Sequence, residues 1–234
     1  MKNNQTKYPQ SIGIIIDGNR RWASERGLSV MKGHKFGYDK LKEVLRWARE
    51  FGISTVYIYA FSTENWIRKK EEVAYLMKLF LRTFGQGAGA LIKEKARIRF
   101  VGQIGRFSPA IRMVIKKLEK ATANFFGINF IICLSYGGRA EILEAVKKVS
   151  SEKTKEEISG LTEEQFSQFL WTAGLPDPQL VIRTSGEIRT SNFLPWQTVY
   201  SEWFFPKTYW PDFTKSEFES ILEEFSKREI RRGR

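Results

Sequence analysis

The sequence predicts an α/β fold with a mostly parallel central sheet covered by helices. Three observations carry this reading. Five short apolar runs rich in β-branched and aromatic residues, at 12–16, 56–61, 98–101, 128–134 and 180–182, have the length and continuity of strands buried on both faces. Segments with helical spacing lie between them, and strands alternating with helices imply parallel pairing through crossovers. The chain of 234 residues shows no internal repeat, low-complexity tract or dividing linker. It is read as one domain, 1–234, with a short N-terminal extension and a basic C-terminal tail.

The elements follow in chain order. After the first run, Leu41, Val44, Leu45 and Ala48 keep the i, i+3, i+4, i+7 spacing of one helical face. After the second, a long helical pattern begins near Glu71. Gly85, Gly87 and Gly89 interrupt it at roughly 1 kcal/mol each against alanine, which predicts a bend or a roomy section at 85–90. Ser108 and Pro109 form a cap and first turn for a helix with Ile111, Val114, Ile115 and Leu118 on its inner face. Cys133 sits inside the fourth run as a small buried hydrophobe. Ile142, Leu143 and Val146 mark the next helix, Thr162 with Gln165 reads as a capping box, and Phe218, Ile221, Leu222 and Phe225 define a last helix.

Composition narrows the function. Subtracting 26 acidic from 39 basic residues leaves +13, and 28% charged with 42% hydrophobic residues excludes a disordered chain. One cysteine and one histidine exclude a disulfide scaffold and any metal site built from cysteines or histidine pairs. No run reaches the roughly 18 apolar residues of a membrane span, and 1–11 lack a signal-peptide core, so the expected location is the cytoplasm. A pI near 9.8 points to an anionic partner, for which nucleic acid, an anionic lipid surface and phosphorylated metabolites all qualify.

In an open parallel sheet, ligands bind beyond the carboxyl ends of the strands. Those ends carry Asp17 to Trp22 (Asp-Gly-Asn-Arg-Arg-Trp), then Ser62, Thr63, Glu64, Asn65 and Trp66 with Arg68, then Ser135 to Arg139, then Arg183 to Glu187 with Arg189 and Ser191. The first cluster has the parts of a diphosphate cradle: a glycine for close backbone approach, amides at a helix start, and the forked donors of Arg20 and Arg21. Asp17 fits a helix cap as well as a functional acid. Beside a phosphate it would repel unless a divalent cation such as Mg²⁺ lay between, which makes it the first candidate metal ligand. Arg183, Arg189 and Ser191 resemble a second phosphate site, against the alternative of a surface pair with Glu187. Glu202 lies among aromatic residues, where an acid is expected to be salt-bridged or metal-bound. Trp22, Phe61 and Trp66 beside polar clusters suggest a ligand with an apolar part, although any one of them fits core packing alone. His34 stands among Lys32, Gly33 and Lys35 with no spacing that assigns it a role. Neither the G-x-G-x-x-G nor the G-x-x-x-x-G-K-[ST] pattern is present.

These motifs, in this order from Ile14 to Gly233, resemble the cis-prenyltransferases, the undecaprenyl diphosphate synthase or isoprenyl transferase family. The resemblance implies a sheet with an elongated apolar tunnel and Mg²⁺-dependent condensation of isopentenyl diphosphate onto an allylic diphosphate such as farnesyl diphosphate. The product would be a cis-polyprenyl diphosphate that partitions to a membrane, with the protein cytoplasmic or peripheral at the inner membrane surface. It implies that Asp17 and Glu202 hold the metal. Gly18, Asn19, Arg20, Arg21 and His34 would hold the allylic diphosphate with Arg68 as a further diphosphate contact, Arg183, Arg189 and Ser191 would grip that of isopentenyl diphosphate, and Trp22 and Thr190 would also bind substrate. Asn65 and Ser62 would handle the lost proton, while Phe61, Thr63, Glu64 and Trp66 contact substrate. Carbon–carbon bond formation through an allylic cation calls for such cations and aromatic walls. The resemblance further implies a homodimer in which Arg231, in Arg231-Arg232-Gly233, reaches the partner's isopentenyl site.

Three positions depart from the family pattern: Arg20 in place of a frequent glycine, Val30 in place of an arginine that binds the allylic diphosphate, and Ile188 in place of a metal-binding histidine found in some members. Arg20 could compensate for Val30. Two further readings share the fold, a short-chain or irregular head-to-middle synthase and a non-catalytic subunit; the presence of Asp17, Asn65 and Arg183 together disfavours the latter. The different-class alternative is a basic RNA-binding protein. That would present its cations as a stripe, whereas here they gather at strand ends beside acids, so no nucleic-acid partner is expected.

Overall fold

The computed structural model describes residues 7–86, 89, 92 and 95–228. Six strands form one sheet: β1 (Ser11–Ile15), β2 (Thr55–Ser62), β3 (Arg97–Val101), β4 (Asn129–Tyr136), β5 (Leu180–Arg183) and β6 (Glu202–Phe204). Their order is β3-β4-β2-β1-β5-β6 and every neighbouring pair is parallel. The five runs read from the sequence are the first five strands. β6 is the one the pattern does not mark, because three residues with partly buried Glu202 and Trp203 give no apolar run.

Side chains alternate between the two faces, as the pleat requires. Ile12, Ile14, Val56, Ile58, Ile98, Phe100, Phe130 and Ile132 belong to the larger core, while Ile15, Tyr57, Tyr59, Ile131, Cys133 and Val181 belong to the smaller one. The first face is covered by α2 (Val30–Glu50), whose Leu41, Val44, Leu45 and Ala48 are buried, and by α3 (Lys70–Phe80), α4 (Pro109–Thr122) and a C-terminal helix, Lys215–Lys227. Ser108 caps α4 by accepting from the Ile111 amide, and Thr162 with Gln165 closes the expected capping box. Helix α3 passes into π-helical turns at Leu81–Gln86 that contain Gly85; Gly87 and Ala90 lie outside the described residues. On the second face, α5 (Gly138–Glu152) contributes Glu141, only 1% exposed. Its carboxylate accepts from Tyr136 Oη (2.5 Å), Thr172 N (3.1 Å), Thr172 Oγ1 (3.2 Å) and Gln197 Nε2 (3.0 Å), so this buried acid is satisfied by neutral donors. No helix among the described residues is long and apolar enough to cross a membrane.

The strand order reverses at β1, with β2, β4 and β3 on one side and β5 and β6 on the other, and the site forms at this switch point. A short helix, α1 (Asn19–Glu25), leaves β1 and crosses α2 closely. A Cβ on Gly33 would lie 2.2 Å from the Asn19 carbonyl oxygen, and one on Gly37 2.1 Å from Asn19 Oδ1. Gly33→Ala is therefore expected to lower stability by about 1–3 kcal/mol through overpacking against backbone. Gly105→Ala, which meets nothing within 4 Å, should change it by less than about 0.5 kcal/mol. Urea unfolding midpoints of the two variants check this.

Candidate active site

The chain at the end of β1 is fixed from both sides. The Asp17 carbonyl accepts from Thr184 Oγ1 (2.7 Å) and from Trp210 N (3.0 Å). Its carboxylate is not a helix cap: Gly18 takes that place with φ 101°, and Asp17 Oδ1 accepts from the Gly18 amide at 2.8 Å. Gly18 is required twice over, by its left-handed backbone and because a Cβ would fall 2.7 Å from the Tyr209 ring. Asp17 Oδ2 pairs with Arg183 NH2 at 2.8 Å. Arg183, 3% exposed, donates through NH1 to Ser191 Oγ and to the Arg189 carbonyl, both at 2.6 Å, while its Nε is buried without a protein partner. Arg21 spans the rim to Ser185 Oγ (2.6 Å) and Glu187 (2.9 Å).

Two cavities meet here. One, of about 530 Å³, is lined by Asp17, Gly18, Asn19, Arg20, Arg21, Ser24, Val30, His34 and Arg68, with Ile16. Glu72 organises its cations, lying 3.0 Å from Arg68, 3.4 Å from His34 Nε2 and 3.8 Å from Arg20. Burial and the nearby Arg68 lower the His34 pKa, which favours the uncharged ring. The second cavity, about 580 Å³, shares Asp17, His34 and Arg68 and adds Ser62, Asn65, Arg183, Ser191 and Asn192 at its polar end. Between the sheet and α3 it is apolar, walled by residues such as Ile58, Leu76, Met77, Phe80, Phe84 and Phe130.

Phe61 reaches this cavity through a β-bulge. Tyr59 is in register with Cys133 and Phe61 with Leu134, so Ala60 is an extra residue and the alternation of β2 shifts by one. Phe61 thereby joins Ile58 on the cavity face. The next turn, 3₁₀-helical over Thr63–Ile67, is closed by Asn65 Oδ1 accepting from Ser62 N at 3.1 Å, which leaves the Asn65 amide group as a donor at the cavity.

Several other residues named from the sequence stand away from the two cavities. Trp22 lines neither cavity: its indole N–H donates to Asp212 Oδ1 (2.7 Å) and its ring packs on Phe36. Trp66 stands behind Phe61, with its N–H on Ser135 Oγ (2.8 Å) and its ring against Phe107. Thr63 packs against Gly137. Arg189 and Thr190 are exposed, Arg189 being ion-paired to Glu187. Glu202 does not share a metal position with Asp17 in one chain. Its register places it beside Leu180, level with Ile12, so that Asp17 lies about five residues, or roughly 16 Å, further along the strand direction. Its carboxylate pairs with Arg228 at 2.5 Å instead. No group of three metal-ligating side chains occurs among the described residues, and Ile188 is 80% exposed. Arg231 lies outside the described residues.

Glu72 and Asn192 are the site residues that sequence reasoning missed. Glu72 lies in the first turn of α3, while Arg68, four residues earlier, precedes that helix with extended backbone, so no helical spacing rule announces the pair. Asn192 stands beside Ser191, but its backbone has φ 64°, a conformation no spacing rule announces.

A basic and polar rim over an apolar cavity at the switch point of a parallel sheet has the makeup of a site for an amphipathic anion. The family model described as "Putative undecaprenyl diphosphate synthase" matches residues 15–233. The isoprenyl transferase of Thermus thermophilus is 46% identical, with 97% of this chain and 89% of that protein covered. The tritrans,polycis-undecaprenyl-diphosphate synthase (geranylgeranyl-diphosphate specific) of Methanopyrus kandleri is 40% identical, with 100% and 88% covered. The crystal structure of lavandulyl diphosphate synthase from Lavandula x intermedia, in complex with dimethylallyl diphosphate, superposes with a TM-score of 0.92 at 30% identity, with 98% of this chain and 100% of that one covered. The chain belongs to the undecaprenyl diphosphate synthase family of prenyltransferases.

Because the His34 pKa is lowered on folding, the unfolded chain binds an extra proton as pH falls through about 6.5, so wild type loses stability there. His34→Gln removes that contribution. Urea unfolding from pH 8 to 5 should show wild type losing more stability on acidification than the variant.

Proposed function

We propose that this prenyltransferase condenses isopentenyl diphosphate with an allylic diphosphate, farnesyl diphosphate in the first instance, to give a cis-polyprenyl diphosphate. The observation that carries the reading is the junction of the two cavities at the Asp17–Arg183 pair: a cationic recess opens there into an apolar space that takes a prenyl chain. The allylic diphosphate occupies the recess of Arg20, Arg21, Arg68 and His34, with Arg20 supplying the guanidinium that Val30 lacks. Its chain lies along Phe61 and the apolar wall. Isopentenyl diphosphate is held by Arg183 and Ser191, where the unpartnered Nε of Arg183 is a donor awaiting an acceptor.

Mg²⁺ fits this donor set: Asp17 is a half-exposed carboxylate beside a cationic recess, and Mg²⁺ is held by one or two carboxylates with substrate phosphates and waters rather than by an all-protein cage. Bound there it would neutralise charge on the departing diphosphate. The guanidinium groups stabilise the same charge as the allylic carbon–oxygen bond breaks, and Phe61 shields the cation from water. The isopentenyl double bond then forms the new carbon–carbon bond, and a proton leaves the adjacent carbon. Asn65 is no base; its amide orients the acceptor, and a diphosphate oxygen takes the proton.

A homodimer is part of this proposal. Leu143 and Val146 of α5 are exposed, an apolar face that a second copy would cover. A short allylic primer is the second reading, favoured by Val30 in the recess and by the likeness to a synthase solved with dimethylallyl diphosphate.

Incubation with labelled isopentenyl diphosphate, Mg²⁺ and primers of five to twenty carbons, followed by sizing of the products, should give cis products that grow by five-carbon units and vanish with EDTA. Absence of any product would refute the reading, and use of the five- or ten-carbon primer alone would favour the second one. Asp17→Asn is expected to lower turnover by roughly 10²- to 10³-fold or more.

A further inference from the structure

Asn192 sits where three parts of the site meet, and we propose that it is a positioning residue that locks the Arg183–Ser191 side of the cavity to the turn carrying Ser62 and Asn65. Ser191 and Asn192 have consecutive left-handed backbones, φ 46° and 64°. Asparagine takes such a conformation more readily than other non-glycine residues, whereas serine holds it only where its surroundings over-determine it. Here Tyr59 Oη lies 3.3 Å from the Ser191 carbonyl as donor, and the Gly138 amide donates to the Asn192 carbonyl at 2.8 Å. The Asn192 side chain then acts in two directions at once. Its Oδ1 accepts from the Arg139 amide at 2.9 Å, satisfying the first turn of α5, and its Nδ2 donates to Glu64 Oε1 at 3.2 Å. Ser191, held next to it, receives Arg183 NH1. Gly137 leaves room for this side chain, since a Cβ there would fall 2.9 Å from Asn192 Nδ2.

Only a side chain with one acceptor and one donor in this spacing bridges an amide and a carboxylate. Aspartate keeps the acceptor but faces Glu64 with a like charge, while glycine keeps the backbone conformation and drops both bonds. The inference rests on the prenyl-transfer reading, with Arg183 and Ser191 holding isopentenyl diphosphate.

The test combines steady-state kinetics with amide hydrogen exchange. Asn192→Gly should lower kcat/KM for isopentenyl diphosphate roughly 10- to 100-fold, mostly through KM, with the KM of the allylic primer within about twofold of wild type. Exchange at the Arg139 amide should speed up at least about tenfold. Asn192→Asp should lose a comparable amount, and Asn192→Asp combined with Glu64→Gln, which reverses the donor and acceptor, should return to within about threefold of Glu64→Gln alone. Unchanged kinetics in the glycine variant, or a double variant no better than Asn192→Asp, would overturn the proposal. If wild type transferred no prenyl units, the reaction reading would fall; lost Arg139 protection in Asn192→Gly would then still support the lock, and retained protection would overturn it.

Discussion

The ion pair between Asp17 and Arg183 is the constraint on which the rest of the site depends. It joins the end of β1 to the end of β5 across the point where the strand order reverses. A guanidinium as buried as that of Arg183 needs acceptors for its charge, and Asp17, Ser191 and the Arg189 carbonyl supply them to its two terminal nitrogens. The same pair fixes which way the carboxylate faces, and the Gly18 amide holds its other oxygen. A large part of the electrostatics of the rim therefore follows from one contact between residues 166 apart in sequence.

Around that contact the sheet separates two tasks. The face bearing Ile58 and Phe130 is only partly filled by α2 and α3, and the unfilled part is the apolar cavity. The other face is packed shut around Tyr57, Tyr136 and Phe193, with the Glu141 network beneath α5. The bulge at Ala60 lets β2 serve both, keeping Tyr59 in the closed face while Phe61 turns to the open one.

Most of the fold was legible because buried parallel strands write continuous apolar runs and amphipathic helices write a regular stripe. β6 was not, since a three-residue edge strand has too little pattern. The strand-end clusters located the site, because a parallel sheet gathers its loops at one edge. Which members of each cluster face the cavity was not legible. Trp22 and Trp66 have the composition of ligand contacts, yet both spend their indole N–H groups on protein acceptors. For Glu202 the residues left a salt bridge or a metal role open; the structure shows a salt bridge to Arg228, and strand register places Glu202 and Asp17 at different levels of the sheet. Asn192 depends on a left-handed backbone and Phe61 on an inserted residue, and neither leaves a periodic trace.

The pairing of β1 with β5 also has a consequence for how the protein is made. Ile12 waits for Leu180. At ribosomal speeds of about 5–20 residues per second, the intervening segment takes roughly 10 to 30 s to emerge. Even after β2 has emerged, the nascent chain carries an apolar strand with the β5 edge unmatched, the kind of surface on which chaperones and neighbouring chains act. Competence for chemistry thus waits until β5 has emerged.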